Sequence, residues 1–146
     1  MKLVNLYILL IVAVFMQLSA CGTTHYSKPD QDAQAKLFNK DPLKSGIYIY
    51  RPKVLNFNTE MAVEIDGKHA GNTEDATFIY QSLEPGEHVF AAHGEGTVEI
   101  KISTKPGENY YVKLDVRPGL IIPTPFLKQV DKKTGQSGVN ECRLVE

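Results

Sequence analysis

Thr97-Val98-Glu99-Ile100-Lys101-Ile102-Ser103-Thr104-Lys105-Pro106-Gly107-Glu108-Asn109-Tyr110-Tyr111-Val112-Lys113-Leu114-Asp115-Val116 is the stretch that decides the fold. Val98, Ile100 and Ile102 interleave with Thr97, Glu99, Lys101 and Ser103; Tyr110, Val112, Leu114 and Val116 interleave with Asn109, Tyr111, Lys113 and Asp115. Successive side chains of a strand point to opposite faces, so each segment has one dry face and one wet face. That is the mark of antiparallel strands packed on a core from one side. Between them, Pro106 fixes φ and Gly107 accepts φ > 0, which suits a type II turn.

Working outward, the same grammar recurs. Ile47-Tyr48-Ile49-Tyr50-Arg51 is apolar on both faces and ends at Pro52, which predicts a central strand. Met61, Val63 and Ile65 alternate with polar or small neighbours, and Asp66-Gly67 then signals a hairpin. Thr77–Tyr80 and His88–Ala92 are strands joined through Glu84-Pro85-Gly86-Glu87, a second Pro-Gly device, and Arg117-Pro118-Gly119 is a third. Leu120-Ile121-Ile122 and Phe126-Leu127 are broken by Pro123 and Pro125 and belong at a sheet edge. A Gly/Ser/Thr-rich loop precedes a last strand, Asn140 to Val145. About seven short strands separated by turns predict an all-β fold, a small antiparallel β-sandwich over residues 45–146. A short helix, only about two turns long, is expected over Asp32–Phe38.

The chain begins differently. Met1-Lys2 precedes sixteen positions, Leu3 to Leu18, interrupted only by Asn5 and Gln17. A positive start, an apolar middle and a small-residue exit are the parts of a secretory signal. As a helix the run would span roughly 24 Å, short of the ~30 Å hydrocarbon layer, and the next charge, Lys28, is no stop-transfer cluster. Cys21 directly follows Leu18-Ser19-Ala20. This resembles the bacterial lipoprotein signal, which implies cleavage after residue 20 and lipid attachment at Cys21. Residues 21–44 then read as the lipidated Cys and a polar, flexible spacer. The membrane is thus the first expected partner, reached through acyl chains on Cys21. Gly22, where Asp would favour retention at the inner membrane of a Gram-negative cell, implies the periplasmic face of the outer membrane.

Composition narrows the function classes. Sixteen Lys and Arg stand against seventeen Asp and Glu, and loss of Lys2 with the signal leaves 15 against 17. Such a balance gives no clustered basic face for nucleic acid. Of the two cysteines, a lipidated Cys21 leaves only Cys142, so no intramolecular disulfide can form. Its face in the last strand, shared with Leu144, reads as structural rather than reactive.

A resemblance rests on four stretches: Tyr48-Ile49-Tyr50-Arg51-Pro52, Val63-Glu64-Ile65-Asp66-Gly67-Lys68 with Gly71, Leu83-Glu84-Pro85-Gly86-Glu87-His88, and Gly107-Glu108-Asn109-Tyr110-Tyr111-Val112. In order and spacing, over about residues 45 to 135, the chain resembles the bacterial lipoprotein family known as domain of unknown function 2846. The Val-x-Ile-Asp-Gly…Leu-x-Pro-Gly-x-His core is also similar to PEGA modules, small β-sandwiches of envelope proteins. The resemblance implies an envelope lipoprotein with no assigned activity.

Chemistry-bearing residues are sparse. His25, His69, His88 and His93 show no HxH or HExxH spacing; His88 and His93, five apart on one strand, point to opposite faces, so no metal and no cofactor is expected. Ser82, Ser103 and Ser137 lack a Gly-x-Ser-x-Gly elbow or a neighbouring base, and no catalytic residue is assigned. Glu84, Glu87, Glu95 and Glu99 read as charged surface rather than paired catalytic carboxylates. Among the tyrosines, Tyr111 is the candidate for a binding surface, because Tyr110 takes the dry face and leaves its neighbour on the wet one. The sequence therefore favours a structural or binding module with an envelope protein or glycan as partner. Two rivals stand beside it: an envelope hydrolase or other enzyme assembled from distant strands, and edge-strand pairing through 120–127 or the C-terminal strand.

Overall fold

In a computed structural model, which describes residues 25–54 and 59–146, nine strands and two short helices form two facing sheets. The elements are α1 (Pro29–Ala35), β1 (Ser45–Arg51), β2 (Met61–Ile65), β3 (Lys68–Thr73), β4 (Thr77–Leu83), β5 (Gly86–Gly94), β6 (Gly96–Thr104), β7 (Asn109–Arg117), β8 (Thr124–Val130), α2 (Lys132–Asn140) and β9 (Arg143–Leu144). One sheet runs β8-β7-β1-β4-β9 and the other β3-β2-β5-β6. The fold is the expected all-β sandwich. Its core lies between the sheets, where Ile47 and Ile49 of β1 meet Val63, Phe90, Val112 and Leu114.

β1 is the central strand that its two-faced apolarity predicted: all seven residues are buried, between β4 and β7. The hairpin at Asp66-Gly67 also forms, with φ of 52° and 72° at the two turn residues, the double positive φ of a type I′ turn. The Pro-Gly devices act otherwise than a hairpin reading suggests. β4 leaves one sheet through Glu84-Pro85 and β5 begins in the other; β6 and β7 are likewise in different sheets. The second crossover is pinned to the start of β1: Gly107 N–H donates to the Lys44 carbonyl at 2.9 Å, and Ser45 Oγ–H to the Lys105 carbonyl at 2.9 Å. β7 therefore enters beside β1 running parallel to it, Gly46 opposite Asn109 and Tyr48 opposite Tyr111. The five-stranded sheet is mixed rather than purely antiparallel.

Two further expectations are corrected. The loop before the C-terminus is a helix, α2, and of the strand expected over Asn140–Val145 only Arg143–Leu144 pairs, parallel to β4. Two Gly, Thr, Ser and Asn are poor helix formers. Asp131 caps the helix, accepting from Thr134 N at 3.0 Å and from Thr134 Oγ at 2.6 Å. The decisive term is contact: a Cβ at Gly135 would stand 2.2 Å from the Tyr111 ring, and one at Gly138 2.1 Å from the Tyr50 ring. The glycines let the helix axis lie directly on aromatic faces, so the packing outweighs the propensity.

The second correction is the spacer. Order begins well before residue 45: Tyr26 bridges to Val145, and Ser27 N–H donates to the Leu144 carbonyl at 3.0 Å. α1 runs three residues earlier than expected, opening on Pro29, whose missing N–H costs nothing in a first turn. Asp32 Oδ1 accepts from Leu144 N at 2.8 Å and ties α1 to β9. The signal segment 1–20 and Cys21 lie outside the described residues.

Gly138→Ala supplies the test of this packing. In an exposed helix the change would stabilise by about 0.5–1 kcal/mol; here it should destabilise by about 1–3 kcal/mol, as overpacking does. Urea unfolding of the folded chain measures the sign, and a stabilised variant would mean that α2 does not sit on Tyr50.

Candidate functional site

The outer face of the five-stranded sheet carries Tyr48, Tyr50, Phe78 and Tyr111, four aromatics brought together by the parallel β1–β7 register and the antiparallel β1–β4 register. Tyr48 stacks on Tyr111 with ring centroids 5.2 Å apart and planes 18° apart, and Phe38 closes against both at 5.3 and 6.1 Å. α1 covers one end, where Tyr48 Oη–H donates to the Ala35 carbonyl at 3.0 Å, and α2 covers the other. This makes a second apolar core, with Val139 and Cys142 in it.

Tyr111 is therefore not a binding surface. It keeps 1% of its surface exposed, and its predicted wet face is dry because α2 lies on it through Gly135. Burial raises the pKa of both the Tyr48 and Tyr111 hydroxyls. Beyond Tyr111 the alternation does hold, since Lys113 and Asp115 reach the surface and pair with each other at 2.8 Å. Cys142 is structural: it is buried at the exit of α2, its Sγ–H donating to the Arg51 carbonyl at 3.4 Å, and burial pushes the thiol up to about 12. A buried thiol with so high a pKa is neither a nucleophile nor a ready redox partner.

Of this aromatic cluster, Tyr80 keeps part of its surface, in a groove of about 290 Å³ between α1 and β4 lined by Gln31, Gln34, Asn39, Tyr48, Tyr80 and Leu144. Amide side chains beside an aromatic ring are groups that hydrogen-bond neutral polar ligands. A wider depression of about 520 Å³ runs along α2 past Tyr50, Lys113, Lys133 and Ser137. The hydroxyl–carboxylate pair beside the depression, Thr134 on Asp131, is the cap of α2.

His88 and His93 are held by different partners. The His88 ring is bound through Nδ1 to Asp66 Oδ2 at 2.7 Å and through Nε2 to the Glu84 carbonyl at 2.8 Å, bracing the β2–β3 turn against the β4–β5 crossover. His93 faces Glu64 at 3.2 Å and Thr97 at 3.0 Å. Among the described residues, no three His, Cys, Asp or Glu side chains converge as a metal would need. Ser82, Ser103 and Ser137 are exposed on separate elements, so the described residues assemble no nucleophile–base pair among these serines. Sequence reasoning missed Arg51. Its guanidinium is fully buried, donating to the carbonyls of Thr59 and Thr73 and pairing with Asp75 at 3.0 Å. That arrangement fixes a corner of the sandwich; it exposes no charge to a substrate.

Residues 42–123 match the family described as "Protein of unknown function (DUF2846)", and the chain belongs to it. It is also 28% identical over 137 residues to an uncharacterised protein of Haemophilus influenzae, covering 92% of this chain and 81% of that one. Neither description assigns an activity.

Two measurements check the electrostatics of these groups. Burial alone would lower the His88 pKa, but the bonds to Asp66 and the Glu84 carbonyl outweigh it and hold it above its ordinary value; the His88 bond and the Val89 N–H hold Asp66 below its own. A raised His stabilises most below its unfolded pKa of about 6.5 and loses that contribution as pH rises through its folded pKa. A lowered Asp stabilises above its unfolded pKa of about 3.9 and loses it as pH falls through its folded pKa. His88→Gln should therefore cost more stability at pH 5 than at pH 9, read by thermal melts at both. Cys142 should resist a water-soluble thiol reagent in the folded chain and react fully in denaturant.

Proposed function

We propose that this member of the DUF2846 family is a bacterial envelope lipoprotein, held by acyl chains on Cys21 and working as a structural or binding β-sandwich rather than as an enzyme. The observation that carries the reading is Leu18-Ser19-Ala20-Cys21 at the exit of a sixteen-residue apolar run. Each buried methylene contributes about 0.8 kcal/mol, so one acyl chain holds a protein marginally and two or three hold it lastingly. The early order at Tyr26 supports a close attachment. Five residues of extended chain reach at most roughly 18 Å, so the sandwich stands against the membrane rather than on a long stalk.

Gly22 favours the outer membrane, with the domain on the periplasmic face in a two-membrane cell. The pattern shared with PEGA modules supports a contact role for the sandwich, toward an envelope protein or a glycan. The groove beside Tyr80, apolar with amides at its rim, suits either partner.

Intact-mass analysis of membrane-extracted protein tests the proposal. The expected mass is that of residues 21–146 plus a diacylglyceryl group and an amide-linked acyl chain, and Cys21→Ser should abolish both cleavage and acylation. An unmodified Cys21 thiol on a chain that still carries residues 1–20 would overturn it.

A further inference from the structure

The most anomalous surface on the molecule is the β7–β8 turn, residues 118–123. Leu120 and Ile121 are 95% and 91% exposed, and Ile122 and Phe126 are partly exposed beside them. Single exposed aliphatics are ordinary, whereas adjacent ones at the tip of a turn are not. The turn is built, not loose. Leu120 N–H donates to the Glu95 carboxylate, Glu95 N–H donates to the Pro123 carbonyl at 3.1 Å, and a Cβ at Gly119 would stand 2.0 Å from the Ile122 carbonyl oxygen. The β5–β6 turn seats it from below.

We propose that this turn is a second membrane contact, inserting Leu120 and Ile121 among phospholipid acyl chains and laying the tethered sandwich against the bilayer. The inference rests on the lipoprotein reading given above, which keeps the domain within reach of lipid.

Three features favour lipid over a protein pocket. Residues 119–122 at the tip offer aliphatic carbon without the Tyr or Trp anchors that dominate protein interfaces. Four side chains, Leu120, Ile121, Ile122 and Phe126, are far too little for a stable protein contact or a second copy, which bury about 1,200–2,000 Å². Finally, Arg117 lies behind the tip with its guanidinium 4.5 Å from the Phe126 ring, where its charge can meet headgroups as its stem stays with the apolar surface.

The geometry allows both contacts at once. Tyr26 lies beyond β9 at one edge of the five-stranded sheet, and the turn joins β7 to β8 at the other. With strands about 4.8 Å apart, four to five strand widths, roughly 20 Å, separate the two across the sheet, and a tether of at most roughly 18 Å reaches the bilayer when the sheet lies along it.

The test uses the full acylated chain carrying Ile121→Cys with an environment-sensitive fluorophore, reconstituted into phosphatidylethanolamine–phosphatidylglycerol vesicles, its acylation read by intact mass. Cys142 is buried and stays unlabelled. The reference label is at Lys68→Cys, exposed at the start of β3 at the opposite end of the second sheet. Emission at position 121 should shift to the blue and be quenched by lipids brominated on their acyl chains, with the reference unaffected. Adding Leu120→Ser should lower the docked-to-undocked ratio by about tenfold, the bias of one buried aliphatic side chain. Equal, water-like emission from both labels on acylated protein would overturn the contact and leave the anchor standing. Burial of the label only after envelope proteins are added would overturn it in favour of a protein partner. A mass without acyl groups would sink the anchor and this inference together.

Discussion

The strand β1 has no wet face, and everything else in the fold answers to that. Its inner side chains, Ile47 and Ile49, are covered by the second sheet, as in any sandwich. Its outer ones, Tyr48 and Tyr50, are as fully buried, so a second layer of cover is obligatory on that side. Each large aromatic removed from water stabilises by about 1.5–3 kcal/mol, enough to recruit segments with little structure of their own. α1 has seven residues and α2 nine, both too short to persist alone. They exist because the aromatic face gives them something to lie on.

Arg51 shows the same strand solving a different problem. A guanidinium without solvent contact carries a desolvation cost of several kcal/mol, which only well-made hydrogen bonds offset. Burial pulls its pKa down while Asp75 works against that. The carboxylate also accepts from Val54 N at 3.2 Å, so one ion pair fixes the chain leaving β1 and the start of β4. The two carbonyls it engages, at Thr59 and Thr73, flank the β2–β3 hairpin. A buried cation thus does the work that an apolar residue at the end of β1 could not, because it is directional.

Much of this was legible in the residues, and the reason for each success or failure is local. Alternation through β6 and, from Val112 on, through β7, the double apolarity of β1 and the Asp66-Gly67 turn are patterns that depend on strand geometry alone, and all three appear as read. Pairing is different, because a Pro-Gly turn says that the chain reverses and not which sheet it enters. Tyr111 failed for a related reason: whether an outward face is wet depends on what covers it, and the cover is a segment rich in glycine. The signal for α2 was present in Asp131-x-x-Thr134 and in the spacing Gly135, Gly138, Val139, Cys142, three, four and seven residues on from the first. Small residues at those positions mark a helix face pressed on something large. Glycine counted as a helix breaker hid it.

The closure of the sandwich also bears on how the domain can meet a partner. β8, at one edge of the five-stranded sheet, carries Pro125 within it and packs across onto β5 and β6. The other edge is a two-residue strand already bridged by Tyr26, and β3 packs against β4 across the opposite seam. Short edges, an in-strand proline and side-to-side closure are the devices that prevent strand addition, so edge pairing through 120–127 or the C-terminus loses its footing. With the aromatic face used internally and both seams shut, the surfaces left open on the described residues include the helix-flanked groove, the depression along α2 and the turns at the ends of the sandwich. Turns suit a body held close to a surface: they are the points that reach the surface first, and they can carry exposed aliphatics without disturbing the strands behind them.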